Sequence, residues 1–359
     1  MKYQIENKNQ KFAYLQLYEQ LRNDIVSGVL PYDTKLPSKR LFAEETGVSV
    51  ITVEHAYAIL CDEGYIESKE RSGYFVIYRE SDFLSSPSTF VAKTPQSNEV
   101  KPKSAFPFST LAKTMRSVLT EYGDCILTKS PNRGCLELRE AISAYLARSS
   151  GMKVNCEQII IGAGAEYLYS LIAQLFREEH TFALESPSYE KIELVYKSNG
   201  VKCDMLDMGN DGILSKELER TNATVLHITP FNSYPSQITA SVSKRHEYLR
   251  FAEKKNGFII EDNYAAELTV SKKNEDTVFS MCKNDLVIYL NTFSETVAPS
   301  FRIGYMVLPE RLLEVFSDKL GFYSCTVPVF EQYVLAKLLE NGDFERHINR
   351  VRREKRKSK

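Results

Sequence analysis

No stretch of this sequence stays apolar for long. The longest apolar runs, such as Leu286–Leu290, fall far short of a membrane span. The first ten residues, MKYQIENKNQ, hold no apolar signal core, so a cytoplasmic chain is expected. Seven cysteines (Cys61, Cys125, Cys135, Cys156, Cys203, Cys282, Cys325) are scattered without a Cys-x-x-Cys pair. They read as buried reduced thiols rather than a disulfide framework or a zinc site. The five histidines are equally dispersed, and no metal centre is expected. An excess of either charge is also missing: 46 Lys and Arg against 47 Asp and Glu leave −1. The chain as a whole therefore carries no electrostatic signature for nucleic acid or membrane. Its 43% hydrophobic and 26% charged residues exclude a disordered or collagen-like chain, and 359 residues set a prior of two or three domains.

Texture divides the chain in three. Residues 1–78 are dense in apolar positions at helical spacing and end in a short strand pair. Residues 79–105 are rich in Ser, Pro, Lys and Thr and read as a flexible linker. From 106 to 359, short β-rich runs alternate with helical stretches, which predicts an α/β domain with a mostly parallel sheet. The predicted strands are Gln158–Gly162, Thr224–Thr229, Phe258–Asp262, Leu286–Thr292 and Gly304–Leu308.

In the first part, Leu17, Tyr18, Leu21 and Ile25 mark one face of a helix. Ser38 stands where an N-cap belongs, ahead of Leu41, Phe42 and Ala43. Gly47 permits a tight turn, Ser49 is a second cap, and Val53, Ala56, Tyr57 and Leu60 mark the buried face of a third helix. Two helices joined by a short glycine turn make a helix-turn-helix, whose second helix enters the major groove. YIESKERSGYFVI then reads as two strands around a tip at Arg71–Gly73, a wing. Residues 1–77 carry nine Lys and Arg against eleven Asp and Glu, so net charge does not separate DNA binding from protein binding. Placement does, because Lys39, Arg40, Lys69 and Arg71 fall at helix and wing ends where phosphates would lie.

The elements L-P-S-x-R, G-V-S-x-x-T-V and E-G-Y stand in order, and this part resembles a GntR-type winged helix along its whole length. The resemblance implies binding of double-stranded DNA and places Ser38, Arg40, Ser49, Thr52 and Gly73 on the contact surface. Two departures stand out: Val50 occupies a position where the family often has arginine, and Glu54 one where a base is often favoured.

In the second part, IIIGAGAEYLYSLIAQLF brings Gly162, Gly164 and Ala165 to the start of an amphipathic helix, a turn whose N–H groups suit a phosphate. FIIEDNY and LVIYLNTFS add Asp262, Tyr264 and Ser294 at the carboxyl ends of strands, the rim where open α/β sheets bind ligands. Order and spacing resemble the fold-type I aminotransferases that use pyridoxal phosphate, from Phe106 to about Arg353. Coupled to a winged helix, the arrangement is similar to the MocR-type subgroup of GntR regulators. By that resemblance Gly164, Ala165 and Glu166 form the phosphate turn, and Tyr189 stacks on the ring. Asn232 and Ser233 approach the ring hydroxyl, with Tyr264 partnering the ring oxygen. Asp262 pairs with the ring nitrogen, and Ser294 and Arg302 complete the phosphate site.

The family pattern T-F-S-K-T-x-A-P-S-x-R-x-G-Y appears here as TFSETVAPSFRIGY, with Glu295 where the Schiff-base lysine stands. A carboxylate forms no imine and shuttles no proton as that amine does, so a catalytically dead domain is expected. Asn232 replaces the usual histidine, Pro235-Ser236-Gln237 replaces P-T-G, and Glu166 replaces a glutamine. Lys129, near where the partner subunit often presents a tyrosine, is a candidate to offset those carboxylates. Pyridoxal phosphate is expected to be held non-covalently if at all, with an empty pocket the favoured state. Residues 344–359 resemble the start of the helix leading into the family's C-terminal small subdomain, which is therefore expected to be largely absent.

These readings converge on a DNA-binding transcriptional regulator that homodimerises through its large domain. That domain either senses a small-molecule effector or serves as a scaffold alone. A working aminotransferase with an appended DNA-binding module is the alternative. No membrane partner is expected.

Overall fold

Ser38 and Ser49 aim their side-chain oxygens at the backbone N–H groups of Leu41 (3.3 Å) and Thr52 (3.1 Å), and each starts a helix. In the computed structural model, residues 3, 12–70, 72–79, 106–176, 180–264, 266–268 and 276–357 are described. Arg71, and all of 79–105 except Arg79, lie outside them. The chain divides into two compact units, Met1–Asn98 and Glu99–Lys359.

The first unit holds α1 (Ala13–Val26), α2 (Lys39–Thr46) and α3 (Val50–Asp62), followed by β1 (Ile66–Lys69) and β2 (Gly73–Val76). The faces read from periodicity are the buried ones: Leu17, Tyr18, Leu21 and Ile25 on α1, and Val53, Ala56, Tyr57 and Leu60 on α3. Gly47 ends α2 in the left-handed region (φ 69°), which redirects the chain into α3 at low steric cost. The Tyr57 hydroxyl donates to the Pro37 carbonyl (3.0 Å), fixing α3 against the segment before α2. β1 and β2 pair antiparallel, Ile66 opposite Val76 and Lys69 opposite Gly73, and form the wing.

The second unit opens with α4 (Phe108–Tyr122) and α5 (Leu136–Ser150), then β3 (Ile159–Gly162), α6 (Ala165–Phe176), β4 (Thr181–Ser186) and α7 (Glu190–Ser198). Next come β5 (Lys202–Gly209), β6 (Gly212–Ile213), α8 (Ser215–Arg220), β7 (Val225–Ile228), α9 (Val242–Lys254), β8 (Phe258–Asp262) and α10 (Val278–Met281). β9 (Val287–Thr292), β10 (Gly304–Val307), α11 (Leu313–Leu320), α12 (Val329–Glu340) and α13 (Asp343–Lys357) complete it.

The sheet runs β3-β10-β9-β8-β7-β4-β5-β6. Its centre, β9-β8-β7-β4-β5, is parallel, while β10 and β6 pair antiparallel at the two sides. Alternate residues leave opposite faces: Ile160, Leu184, Ile260, Ile288 and Met306 pack under α6, α7 and α11. Ile159, Ile161, Tyr289, Tyr305 and Val307 pack under α5, α12 and α13. Burial on both faces explains why the central strands are continuous apolar runs.

All seven cysteines are free, but only Cys135 and Cys325 are buried. Cys125 is exposed, a departure from the expected buried thiols; it lies in the 3₁₀ turn Gly123–Leu127, which buries no residue.

Candidate functional site

The surface expected to meet DNA is built from α2, α3 and the wing. Ser38, Arg40, Ser49 and Lys69 are exposed, and Lys39 and Thr52 are partly so. Gly73 has φ 107°, a conformation L side chains rarely adopt, and the Lys35 side chain packs where a Cβ would stand. Two of the four expected phosphate cations are already engaged. Lys39 pairs with Glu54 across the helix-turn-helix at 2.5 Å, and Lys69 pairs with Glu67 (3.1 Å) and Asp33 (3.8 Å). Arg71 lies outside the described residues. Val50 and Ile51, 43% and 64% exposed, present apolar surface on the first turn of α3.

In the second unit the candidate rim is assembled by the ends of β3, β7, β8 and β9. Gly164 turns the chain from β3 into α6 with φ +86°, and the Arg302 guanidinium lies 3.0 Å from where its Cβ would be. Ala165 begins α6. Glu166, in the first turn, bridges Lys191 (2.6 Å) and Arg302 (3.4 Å). Lys191 and Arg302 together hold its carboxyl below the usual carboxylate range, Lys191 dominating. Lys129 is exposed, and within the chain the cations beside Glu166 are Lys191 and Arg302.

Asp262, only 2% exposed at the end of β8, accepts hydrogen bonds from the Tyr169 hydroxyl and from the Tyr264 backbone N–H (3.2 Å). His227, on β7, places Nε2 3.7 Å from the same carboxylate, while its Nδ1 meets the Tyr196 hydroxyl at 2.7 Å. The Tyr264 hydroxyl donates to the Asn232 carbonyl (3.4 Å), and Asn232 itself is left-handed at φ 51°. Burial, with the charges of Asp262 and Glu295, pushes the Tyr264 phenol up. Tyr189 stands just before α7, 38% exposed, edge-on to Tyr234 at 6.3 Å. The Ser294 hydroxyl donates to the Phe301 carbonyl (3.3 Å), and Glu295 is exposed beside it.

The structure thus joins Gly164, Glu166 and Arg302 in one cluster and Asp262, Tyr264 and Asn232 in another. Ser233 is buried and donates to Glu185 (2.6 Å). Tyr169, Lys191, Glu185 and His227 were not singled out from sequence. Tyr169 stands one helical turn after Ala165, a spacing that marks it as facing the rim; the other three had no comparable signal.

A cavity of about 380 Å³ is lined by Tyr145, Asn263, Glu267, Tyr289 and Arg352 among others. Among the described residues, no group of three or more His, Cys, Asp or Glu could hold a metal ion, and no helix is long and apolar enough to cross a membrane.

Residues 13–76 match the family described as bacterial regulatory proteins, gntR family, and residues 107–359 match aminotransferase class I and II. The chain is 33% identical to the HTH-type transcriptional regulator YdeL of Bacillus subtilis, over 96% of this chain and 77% of that one. It is 29% identical to the probable rhizopine catabolism regulatory protein MocR of Rhizobium meliloti, over 94% and 74%. With the HTH-type pyridoxine biosynthesis transcriptional regulator PdxR of Corynebacterium glutamicum, identity is 28% over 94% and 75%. Among solved structures, a multiple substrate aminotransferase from Thermococcus profundus superposes with TM-score 0.63 at 23% identity, covering 77% of this chain and 75% of that one. An archaeal alanine:glyoxylate aminotransferase gives TM-score 0.61 at 24% identity, covering 67% of this chain and 62% of the other, less than two thirds of its length. The chain belongs to the HTH-type transcriptional regulators in which a GntR-family DNA-binding module precedes an aminotransferase class I and II domain.

Proposed function

We propose that residues 1–78 bind operator DNA, that 79–105 link them to the large domain, and that 106–359 dimerise without catalysing transamination. The observation that carries the loss of catalysis is Glu295, a carboxylate at the position that matches the Schiff-base lysine in NTFSETVAPSFRIGY. The fold family's cofactor needs an amine there and a free cation at the phosphate turn, whereas Arg302 already faces Glu166. These donors do not fit pyridoxal phosphate, and the natural chain is expected to retain none after dialysis. Glu295→Lys, with Glu166→Gln beside it, tests this: the double variant should hold a visible absorbance band that survives dialysis, and wild type should not. A stable band in wild type, or turnover of any amino acid with added cofactor, overturns the reading.

Dimerisation sets the distance between two winged helices, so the regulator reads paired half-sites. An effector acts by binding one arrangement of the modules more tightly than another. On α3, the exposed Val50 and Ile51 suit thymine methyl groups in the major groove, a direct-readout contact that an arginine at position 50 would exchange for guanine. Selection from random duplexes should return sites with paired, A·T-containing half-sites. Half-sites moved apart by half a helical turn should bind no better than a single one.

A further inference from the structure

We propose that the cavity between α5 and α13 is a binding site for a small guanidinium compound, held through Glu267, Glu345 and Asn263. The site is separate from the cofactor rim and from the DNA surface, and it stands whether or not the large domain senses an effector. Tyr145, Tyr289 and Ile348 line the cavity and belong to the core on the α5, α12 and α13 side of the sheet. Asp262 meets Tyr169, which packs in the core on the opposite side. Neither Asp262 nor Gly164, Glu166 or Arg302 is in the cavity wall.

Three residues of that wall hold buried acceptors without a hydrogen-bond partner: Asn263 Oδ1, Glu267 Oε2 and Glu345 Oε2. Each carboxylate is half satisfied. Glu267 Oε1 accepts from the Asn291 amide (2.6 Å) and Glu345 Oε1 from Arg148 (2.8 Å), leaving the second oxygen of each unpaired. Asn263 is 2% exposed, and its amide nitrogen is unpaired as well. Glu261, whose charge the Asn263 amide stabilises, lies beyond hydrogen-bond distance of it and accepts from the Val278 and Phe279 N–H groups. A buried acceptor left unpaired costs about 1–3 kcal/mol. Three of them around one cavity of about 380 Å³ mark a space for a donor-rich molecule, and the volume is that of a small-ligand site.

The walls also set the sign of the ligand. Glu267, Asp276 and Glu345 stand against Arg352 and Arg356, an excess of one negative charge. Arg352 spends its Nε on the Glu267 backbone carbonyl (2.5 Å) rather than on the carboxylate. Burial raises the proton affinity of Glu267, and a bound cation would keep it ionised. Among organic cations, guanidinium suits these walls best. It carries five N–H donors in one plane, whereas an ammonium carries three on a more tightly hydrated point charge. The acceptors come from the residue after β8, the turn at 266–268 and α13, so a flat multiple donor can serve more than one of them. Tyr145, Tyr289 and Phe231 add the aromatic rings on which guanidinium stacks. The wall already shows that pairing, with the Arg245 guanidinium 5.0 Å from the centre of the Phe231 ring.

The test is isothermal titration of the full chain with butylguanidine, butylamine and butyrate. Wild type should bind a single equivalent of butylguanidine, about tenfold or more tighter than butylamine, and should not bind butyrate. Glu267→Gln and Glu345→Gln each remove one charge-assisted hydrogen bond and should weaken butylguanidine about tenfold. Glu345 is partly exposed on α13, so its variant reads the site even where Glu267→Gln fails to fold. Ser150, exposed at the edge of the cavity, gives the location: Ser150→Trp should obstruct the opening and weaken binding by a similar factor. No binding of butylguanidine to wild type would mean that the cavity takes up water only, and would overturn the proposal. Equal affinity for butylguanidine and butylamine would overturn it too, as would unchanged affinity in both Glu345→Gln and Ser150→Trp.

Discussion

The Lys39 ammonium sits 2.5 Å from the Glu54 carboxylate, joining the first residue of α2 to the helix expected to read bases. The partnership lowers the affinity of Glu54 for a proton and raises that of Lys39. It also means that a cation suited to a phosphate is held by the protein until DNA competes for it. Glu54→Gln should therefore free Lys39. The expected result is tighter binding to any duplex, with a log–log salt dependence steeper by about one counterion. An unchanged slope would show that Lys39 does not meet a phosphate.

Ser49 has two jobs that a single charge separates. Its oxygen caps α3 by accepting from the Thr52 backbone N–H (3.1 Å), and it lies 2.9 Å from the Thr52 hydroxyl on the exposed side. Ser49→Ala should cost about 1 kcal/mol of stability through the lost cap. Ser49→Asp keeps a capping oxygen and should restore that stability in urea denaturation, yet its charge faces the expected phosphate surface. Affinity for duplex DNA should fall with Ser49→Asp even where stability does not.

Much of this was legible in the sequence. The α1 and α3 faces follow a helical period, and β8 was located at Phe258–Asp262 because burial on both faces leaves a continuous apolar run apart from its last two residues. β4 and β5 were missed. Glu185 interrupts the apolar run of β4, although it is only 3% exposed, and β5 reads KCDMLDMG, with polar residues at alternating positions near the sheet edge. The site was legible where a motif holds its residues together, as in TFSETVAPSFR. Its pairings were not: Glu166 meets Lys191 25 residues away, and Tyr169 meets Asp262 93 residues away. Such contacts depend on which faces two elements turn to each other, which periodicity within one element does not specify.

Gln332 is a structural knot of the large unit. Fully buried on α12, it accepts from the Cys135 backbone N–H (2.7 Å) and donates to the Val327 carbonyl (2.8 Å) and the Ser130 hydroxyl (2.8 Å). Gln332→Leu fills similar volume but leaves a buried donor and a buried acceptor unpaired at the start of α5 and before α12. The expected loss is about 2–5 kcal/mol. Chemical denaturation should show it in the large unit's transition, with DNA binding by the winged helix retained at temperatures where both units are folded. A loss below 1 kcal/mol would mean that water replaces the amide.

Two buried glutamates make stability depend on pH. Glu185 accepts from the Thr229 N–H (3.2 Å) and the Ser233 hydroxyl (2.6 Å), and Glu261 accepts from the Val278 (3.0 Å) and Phe279 (2.7 Å) N–H groups. These bonds favour the charged form, but burial outweighs them and pushes both carboxyls up to about 7 from the ordinary 4.5. Between those values the folded chain keeps protons that the unfolded chain has released, so stability falls as pH rises. The loss is complete above about pH 8 and is on the order of 3 kcal/mol for each carboxyl. His347 works in the opposite sense, because burial lowers its proton affinity and folding then gains as pH rises toward 6.5. Glu185→Gln and Glu261→Gln isolate the carboxyl contribution from the histidine. In urea denaturation at pH 5, 6.5 and 8, each variant should lose less stability than wild type between the last two points. A variant with the wild-type slope would show that its carboxyl is already ionised near pH 5, with its hydrogen bonds outweighing burial.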